Sequence, residues 1–91
     1  MYKIRPYSYR QARKYGVEIY PSTVQGKKID VYKRGQKIAS IGARGYFDYP
    51  TYLERYGLKY AKERQRLYKL RHRQNRIVKN SPGYWASKIL W

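Results

Sequence analysis

The chain has no cysteine, one histidine and only five acidic residues among 91. Without cysteine there is no disulfide framework and no thiolate zinc site. So few histidines and acids predict no protein-only metal centre, and no cofactor is expected. Ile, Leu, Val and Phe together make 17 residues, under a fifth of the chain. No apolar run approaches the roughly 18 residues of a membrane span. The opening MYKIRPYSYR lacks the apolar stretch of a secretory signal. These shortages predict a soluble intracellular protein with a thin core.

Positive charge and tyrosine are what the chain has in quantity. Twenty-two Lys and Arg give a net charge of +17. Sparse aliphatics with that charge ordinarily mean disorder. Thirteen Tyr and two Trp change the expectation, because their rings supply large apolar area at low rotamer cost. One small domain over residues 1–91 is predicted, near the lower size limit for an autonomous core. Self-repulsion among so many cations favours a polyanionic partner. Nucleic acid ranks first and an anionic membrane surface second.

The pattern along the chain predicts an α+β fold. It has a small β-hairpin or three-stranded antiparallel sheet, then a long basic helix and a short C-terminal helix. Residues 1–16 read as an arm with a short helix over residues 9–15, capped by Ser8 and ended by Gly16. Residues 17–42 form the β region. Val17 and Ile19 alternate with Glu18 and Tyr20, and KIDVYKRGQKIASIG alternates around an Arg34-Gly35 turn. A two-residue loop there places Val31 opposite Ile38 and Asp30 opposite Ala39.

Residues 51–76 read as one long helix, opened by a Thr51/Glu54 capping box, with Gly57 as a point of kinking. Its apolar stripe is Leu53, Tyr56, Tyr60, Leu67 and Leu70. Residues 81–91 read as a short amphipathic helix with Ser81 as N-cap and Pro82 at its first position. It is expected to fold back as a lid over that stripe.

The long helix carries the functional signal. From Arg55 to Lys79 there are ten Lys or Arg and one acid, Glu63. Arg55, Lys59, Lys62, Arg66, Lys69 and Arg73 recur at three- and four-residue steps and line one side; Arg64, Arg71 and Arg76 flank them. A solvated helix face usually mixes signs, and this one hardly does. Lys33, Arg34 and Lys37 add a second basic group at the hairpin turn. Together these residues are the predicted polyanion-binding surface. Tyrosines interleaved with cations suit base stacking, but periodicity assigns Tyr56 and Tyr60 to the core. Tyr2, Tyr7 and Tyr9 are then the freer rings. No positioned acid–base set or nucleophile is present. No enzymatic activity and no small-molecule substrate are expected.

Longer stretches carry a resemblance: KIASIGARGYFDYPTYLERYG, RLYKLRHR and SPGYWASKILW. The matching positions are Gly45, Tyr46, Asp48 and Tyr49; Arg71 and His72; and Gly83, Tyr84, Leu90 and Trp91. The chain resembles small basic proteins encoded by large nucleocytoplasmic DNA viruses of algae and amoebae. The N-terminal YSYRQARKYGVEIYPST is similar to one subgroup. The resemblance names no chemistry. It implies a viral origin, with the protein in the virion, or in the host cytoplasm or virus factory during infection. Two roles follow as expectations. One is association with the genome, with DNA favoured over RNA. The other is a minor capsid or cement protein meeting acidic capsid proteins or the inner membrane.

Overall fold

A computed structural model describes residues 1–74 and 77–91. In chain order they form helix α1 (Pro6–Lys14), strands β1 (Glu18–Pro21), β2 (Lys27–Lys33) and β3 (Gln36–Ala43), and helices α2 (Tyr49–Tyr56), α3 (Leu58–Arg71) and α4 (Pro82–Ile89). The strands make one antiparallel sheet in the order β1-β2-β3. The α+β expectation holds: a three-stranded sheet is followed by a longer basic helix and a short C-terminal one.

One sheet face is apolar because of strand alternation. Ile19, Val31 and Ala39 align across the three strands, and Ile29 pairs with Ile41. All five are buried, and Ala12 of α1 and Trp85, Ile89 and Leu90 at α4 close over them. Each fully buried Ile or Leu contributes about 1.5–3 kcal/mol. This is how so few aliphatic residues hold the chain: they are concentrated on one sheet face.

The hairpin departs from the expected register, for a polar reason. Arg34 (φ 54°) and Gly35 (φ 75°) form the two-residue turn, and Lys33 pairs with Gln36 and Tyr32 with Lys37. A bulge then intervenes, so Val31 pairs with Ala39 and Asp30 with Ser40. The extra residue keeps Ala39 and Ile41 on the core face. It also brings the Ser40 hydroxyl to 2.7 Å from Asp30 Oδ1, where it donates a hydrogen bond. Ser22 donates to the same oxygen at 2.6 Å, and Thr23 N–H to the other at 3.3 Å. An unshifted hairpin would leave this buried carboxylate facing alanine.

Ser8 is not a cap. α1 begins three residues earlier, with Pro6 in the first turn and Arg5 as N-cap. The Ser8 side chain is buried and donates to Ile89 O at 2.9 Å. Gln11 Nε2 donates to Lys88 O at 2.8 Å, and the Tyr7 hydroxyl to Trp91 O at 3.3 Å. Side chains of α1 thus satisfy carbonyls that the end of α4 leaves without intrahelical donors.

The long helix is two helices. Gly57 has φ 88° and ψ 175°, a conformation essentially confined to glycine, and the chain turns a corner there. The expected span of 51–76 is therefore split between α2 and α3, and α3 stops at Arg71. The lid expectation is also corrected. Ser81 does cap α4, accepting from Tyr84 N–H at 3.1 Å, but α4 packs on β3 and α1. The residue that reaches α3 is the terminal Trp91, stacked on Tyr68.

Gly42 lies where the sheet and the end of α4 approach closely. Its φ is 80°, and a Cβ there would lie 2.7 Å from Leu90 Cδ1 and 3.0 Å from Lys28 Cδ. Gly42→Ala combines left-handed strain with overpacking, each about 1–3 kcal/mol. The expected result is a fall in Tm of roughly 8–48 °C, at about 4–8 °C per kcal/mol for this size. Thermal unfolding by circular dichroism checks it.

Candidate nucleic-acid interface

Asp48 holds the base of the site. It is the true N-cap of α2, accepting on Oδ1 from Thr51 N–H at 3.0 Å and the Thr51 hydroxyl at 2.6 Å. Its Oδ2 accepts from the Tyr2 hydroxyl at 2.6 Å and from Lys28 Nζ at 3.0 Å. Lys28 Nζ also donates to Tyr46 O. The expected capping box is corrected: Thr51 serves Asp48, and Glu54 is ion-paired with Arg5 at 3.1 Å. Burial pushes the Asp48 carboxyl up. Hydrogen bonds from Thr51 and Tyr2 and the Lys28 ammonium outweigh it and hold the pKa below the ordinary value. This node ties the N-terminal arm, β2 and the start of α2 together, and it fixes the loop bearing Tyr46 and Phe47.

Above the node the aromatic rings form a continuous surface. Phe47 meets Tyr52 edge-on at 5.5 Å, Tyr52 lies 5.7 Å from Tyr60, and Tyr60 stacks on Tyr56 at 4.9 Å. Tyr52 also lies 6.1 Å from Trp91. Trp91 is parallel to Tyr68 at 4.3 Å and 6°, and Tyr68 stacks on His72 at 4.3 Å. Arginines are laid over this surface, with Arg55 at 5.0 Å from the Phe47 centroid and Arg64 at 5.3 Å from that of Tyr52.

These exposures reverse the expected division of the tyrosines. Tyr56 is 56% and Tyr60 41% exposed, so neither is core; Ala61 is the buried residue of α3. Tyr2 and Tyr7 are half-buried and hydrogen-bonded. Tyr9 alone of that trio stays exposed. Small Ala61 lets α3 sit close to its neighbours, and the rings on either side of it spread outwards.

A cleft of about 410 Å³ opens beside this surface. Its walls include Tyr46 and Phe47 from the loop, Tyr52 from α2, Tyr68, Arg64, Arg71 and His72 from α3 and its end, and Trp91. Tyr46 is 74% exposed at its mouth. Burial pushes the Tyr68 phenol up, with nearby Arg71 opposing. A shallower groove runs along Tyr56, Lys59, Tyr60 and Leu67, and Arg64 borders both hollows.

The predicted cations separate into groups. Lys59, Lys62, Arg66 and Lys69 share one face of α3 by their three- and four-residue spacing. Arg55 belongs to α2 and Arg73 lies beyond the end of α3, so the expected single line of six is interrupted at both ends. Arg64 and Arg71 lie on another flank and line the cleft. Arg76 is outside the described residues. Lys33, Arg34 and Lys37 lie at or beside the β2–β3 turn and do not line the cleft.

Few of these charges are matched internally. Arg66 is 2.6 Å from Glu63, and Lys37 is 3.9 Å from Asp30. Glu54 and Asp48 are taken by Arg5 and Lys28. Five acids leave most of the 22 cations unneutralised. Among the described residues no group of His and acidic side chains could hold a metal ion, and no helix is long and apolar enough to cross a membrane.

Comparison with known proteins adds one likeness. Residues 17–51 match the model of a "Family of unknown function (DUF5754)". That stretch is the sheet, the loop and the start of α2, and it contains Lys28, Asp48 and Thr51 of the anchoring node but none of α3. It covers less than half of the chain. No curated protein and no solved structure matches.

Proposed function

We propose that this protein binds nucleic acid largely without sequence preference, through phosphate contacts. The observation that carries the reading is the outer face of α2 and α3, where exposed cations lie beside exposed aromatic rings. Lys59, Lys62 and Arg55 have no carboxylate within ion-pair distance among the described residues. Such cations neutralise phosphates and release condensed counterions. Phosphate contacts do not read bases, so specificity is low. The sequence resemblance to proteins of large DNA viruses supports a role with the genome in the virion.

Salt-titrated binding to a short duplex tests it. With about six to ten phosphates contacted, log affinity falls against log salt with a slope of roughly −5 to −9. A slope near zero overturns the reading.

A minor capsid or cement role is the second reading. Leu58, Leu70, Ile77 and Val78 are each more than half exposed, which suits a protein partner. Mass spectrometry of purified virions separates the two. A fixed ratio to the major capsid protein that survives nuclease treatment favours the shell, and release with the genome favours DNA.

A further inference from the structure

We infer that the cleft between the Tyr46–Phe47 loop and α3 is a slot for an unpaired nucleobase, so that the preferred ligand is a single-stranded oligonucleotide. This deepens the phosphate-binding reading and rests on it.

Three features point there. The first is the wall. Trp91, Tyr68 and His72 form a stack of parallel rings, with Tyr52 next to Trp91. Tyr68 has both faces covered, so the stack offers a base the outer faces of its end rings, with exposed Tyr46 across the cleft. Every base has a π-face to place there, and each base–aromatic contact is worth roughly tenfold in affinity. The second is the charge. Lys28 at the floor is already neutralised by Asp48, whereas Arg71 has no carboxylate within ion-pair distance among the described residues and Arg64 lies over a ring. The free charge therefore stands on one wall, where a backbone phosphate would follow a base pointing inwards. The third is continuity. Arg64 borders both the cleft and the groove along Tyr56, Tyr60 and Lys59, so a strand leaving the slot meets further exposed rings and cations. In a duplex both base faces are occupied by neighbours, and the slot has nothing to receive. A cleft of about 410 Å³ falls within the roughly 300–1,000 Å³ of ordinary ligand pockets.

The experiment compares a fluorescein-labelled 12-nucleotide oligothymidine, oligouridine of the same length, a 12-base-pair duplex and heparin at equal salt, with tryptophan emission recorded alongside. Trp91 lines the cleft and Trp85 is buried, so stacking in the slot quenches only part of the signal. The expected result is single strands bound about tenfold or more tighter than duplex, with quenching by single strands and not by heparin. Tyr46→Ala and Arg71→Gln change exposed residues. Each is expected to reduce the single-strand preference severalfold. Tyr46→Ala leaves duplex affinity nearly unchanged, whereas Arg71→Gln also loses one duplex phosphate contact but lowers single-strand affinity severalfold more, and an unaltered melting curve confirms the fold. Equal affinity for single strands and duplex without quenching overturns the slot and leaves the phosphate reading standing. Quenching by heparin, or variants that keep the preference, also overturns it. Failure to bind any of the four probes overturns both readings.

Discussion

Asp48→Ala is expected to lower stability by about 3–5 kcal/mol, the cost of breaking a buried ion pair from one side. A domain of this size has about 5–15 kcal/mol in total, so the variant loses between about a fifth and the whole of its stability. The loss has three parts. The cap of α2 goes with the acceptor for Thr51, the Tyr2 hydroxyl loses its partner, and the Lys28 ammonium is left buried with one carbonyl acceptor. The last is expected to be the largest. Lys28→Met in an Asp48→Asn background should therefore recover part of the loss relative to Asp48→Asn alone. Urea unfolding of the series checks this. A cost below about 1 kcal/mol for Asp48→Ala would show that the node is not what holds α2 to the sheet.

The same node sets the response to pH. The Asp48 and Asp30 pKa values are both held below the ordinary carboxylate value: at Asp30 burial raises it, and the Ser22 and Ser40 hydroxyls, Thr23 N–H and Lys37 outweigh that. Each acid contributes stability above its unfolded pKa of about 4 and loses it as pH falls through the depressed folded value. Burial first, then Asp48, pushes the Tyr2 phenol well above its usual value. Its contribution is complete below about pH 10 and is lost as pH rises from there. The expected profile is flat between those limits, and Asp48→Ala should flatten its acid side.

The sheet and α4 were legible in the sequence because short-range rules govern them. Alternation gave the strands, a glycine turn the hairpin, and Ser81-Pro82 the start of α4. The hairpin bulge was not legible, since it is set by the needs of Asp30, a residue whose partners Ser22 and Ser40 lie eight and ten positions away. The cap of α2 was misplaced because Thr51-x-x-Glu54 and Asp48-x-x-Thr51 are both plausible caps, and only the long-range Lys28 and Tyr2 contacts choose between them. The largest miss concerned the aromatic surface. Tyr52, Tyr56, Tyr60, Arg64, Tyr68 and His72 recur every four residues. On an unbroken helix a four-residue repeat drifts away from any core stripe, which was the available sign that these rings are not core. Gly57 and the return of Trp91 turn that drift into one surface, and neither effect is local.

On the proposed reading, that surface gives the cations their leverage on an anionic partner. The triple variant Arg55→Gln, Lys59→Gln, Lys62→Gln removes three charges from α2 and α3 and none from the node or the cleft wall. Each phosphate contact contributes about 0.9 to the salt slope on duplex DNA. The slope should therefore become shallower by about 2.7, and affinity near 0.15 M salt should fall roughly a hundredfold. The charged ends of Arg55 and Lys62 lie over the Phe47 and Tyr49 rings. Glutamine keeps part of that packing, so the melting temperature should move little. Glu63→Gln makes the complementary change. It removes the acid that holds Arg66 at 2.6 Å, so binding should tighten and the slope steepen by about 1 as that guanidinium becomes available to phosphate. Opposite shifts from the two variants require a shared electrostatic face on these helices. If both leave the slope unchanged, the phosphate contacts lie elsewhere, with the hairpin cations Lys33, Arg34 and Lys37 the next group to test.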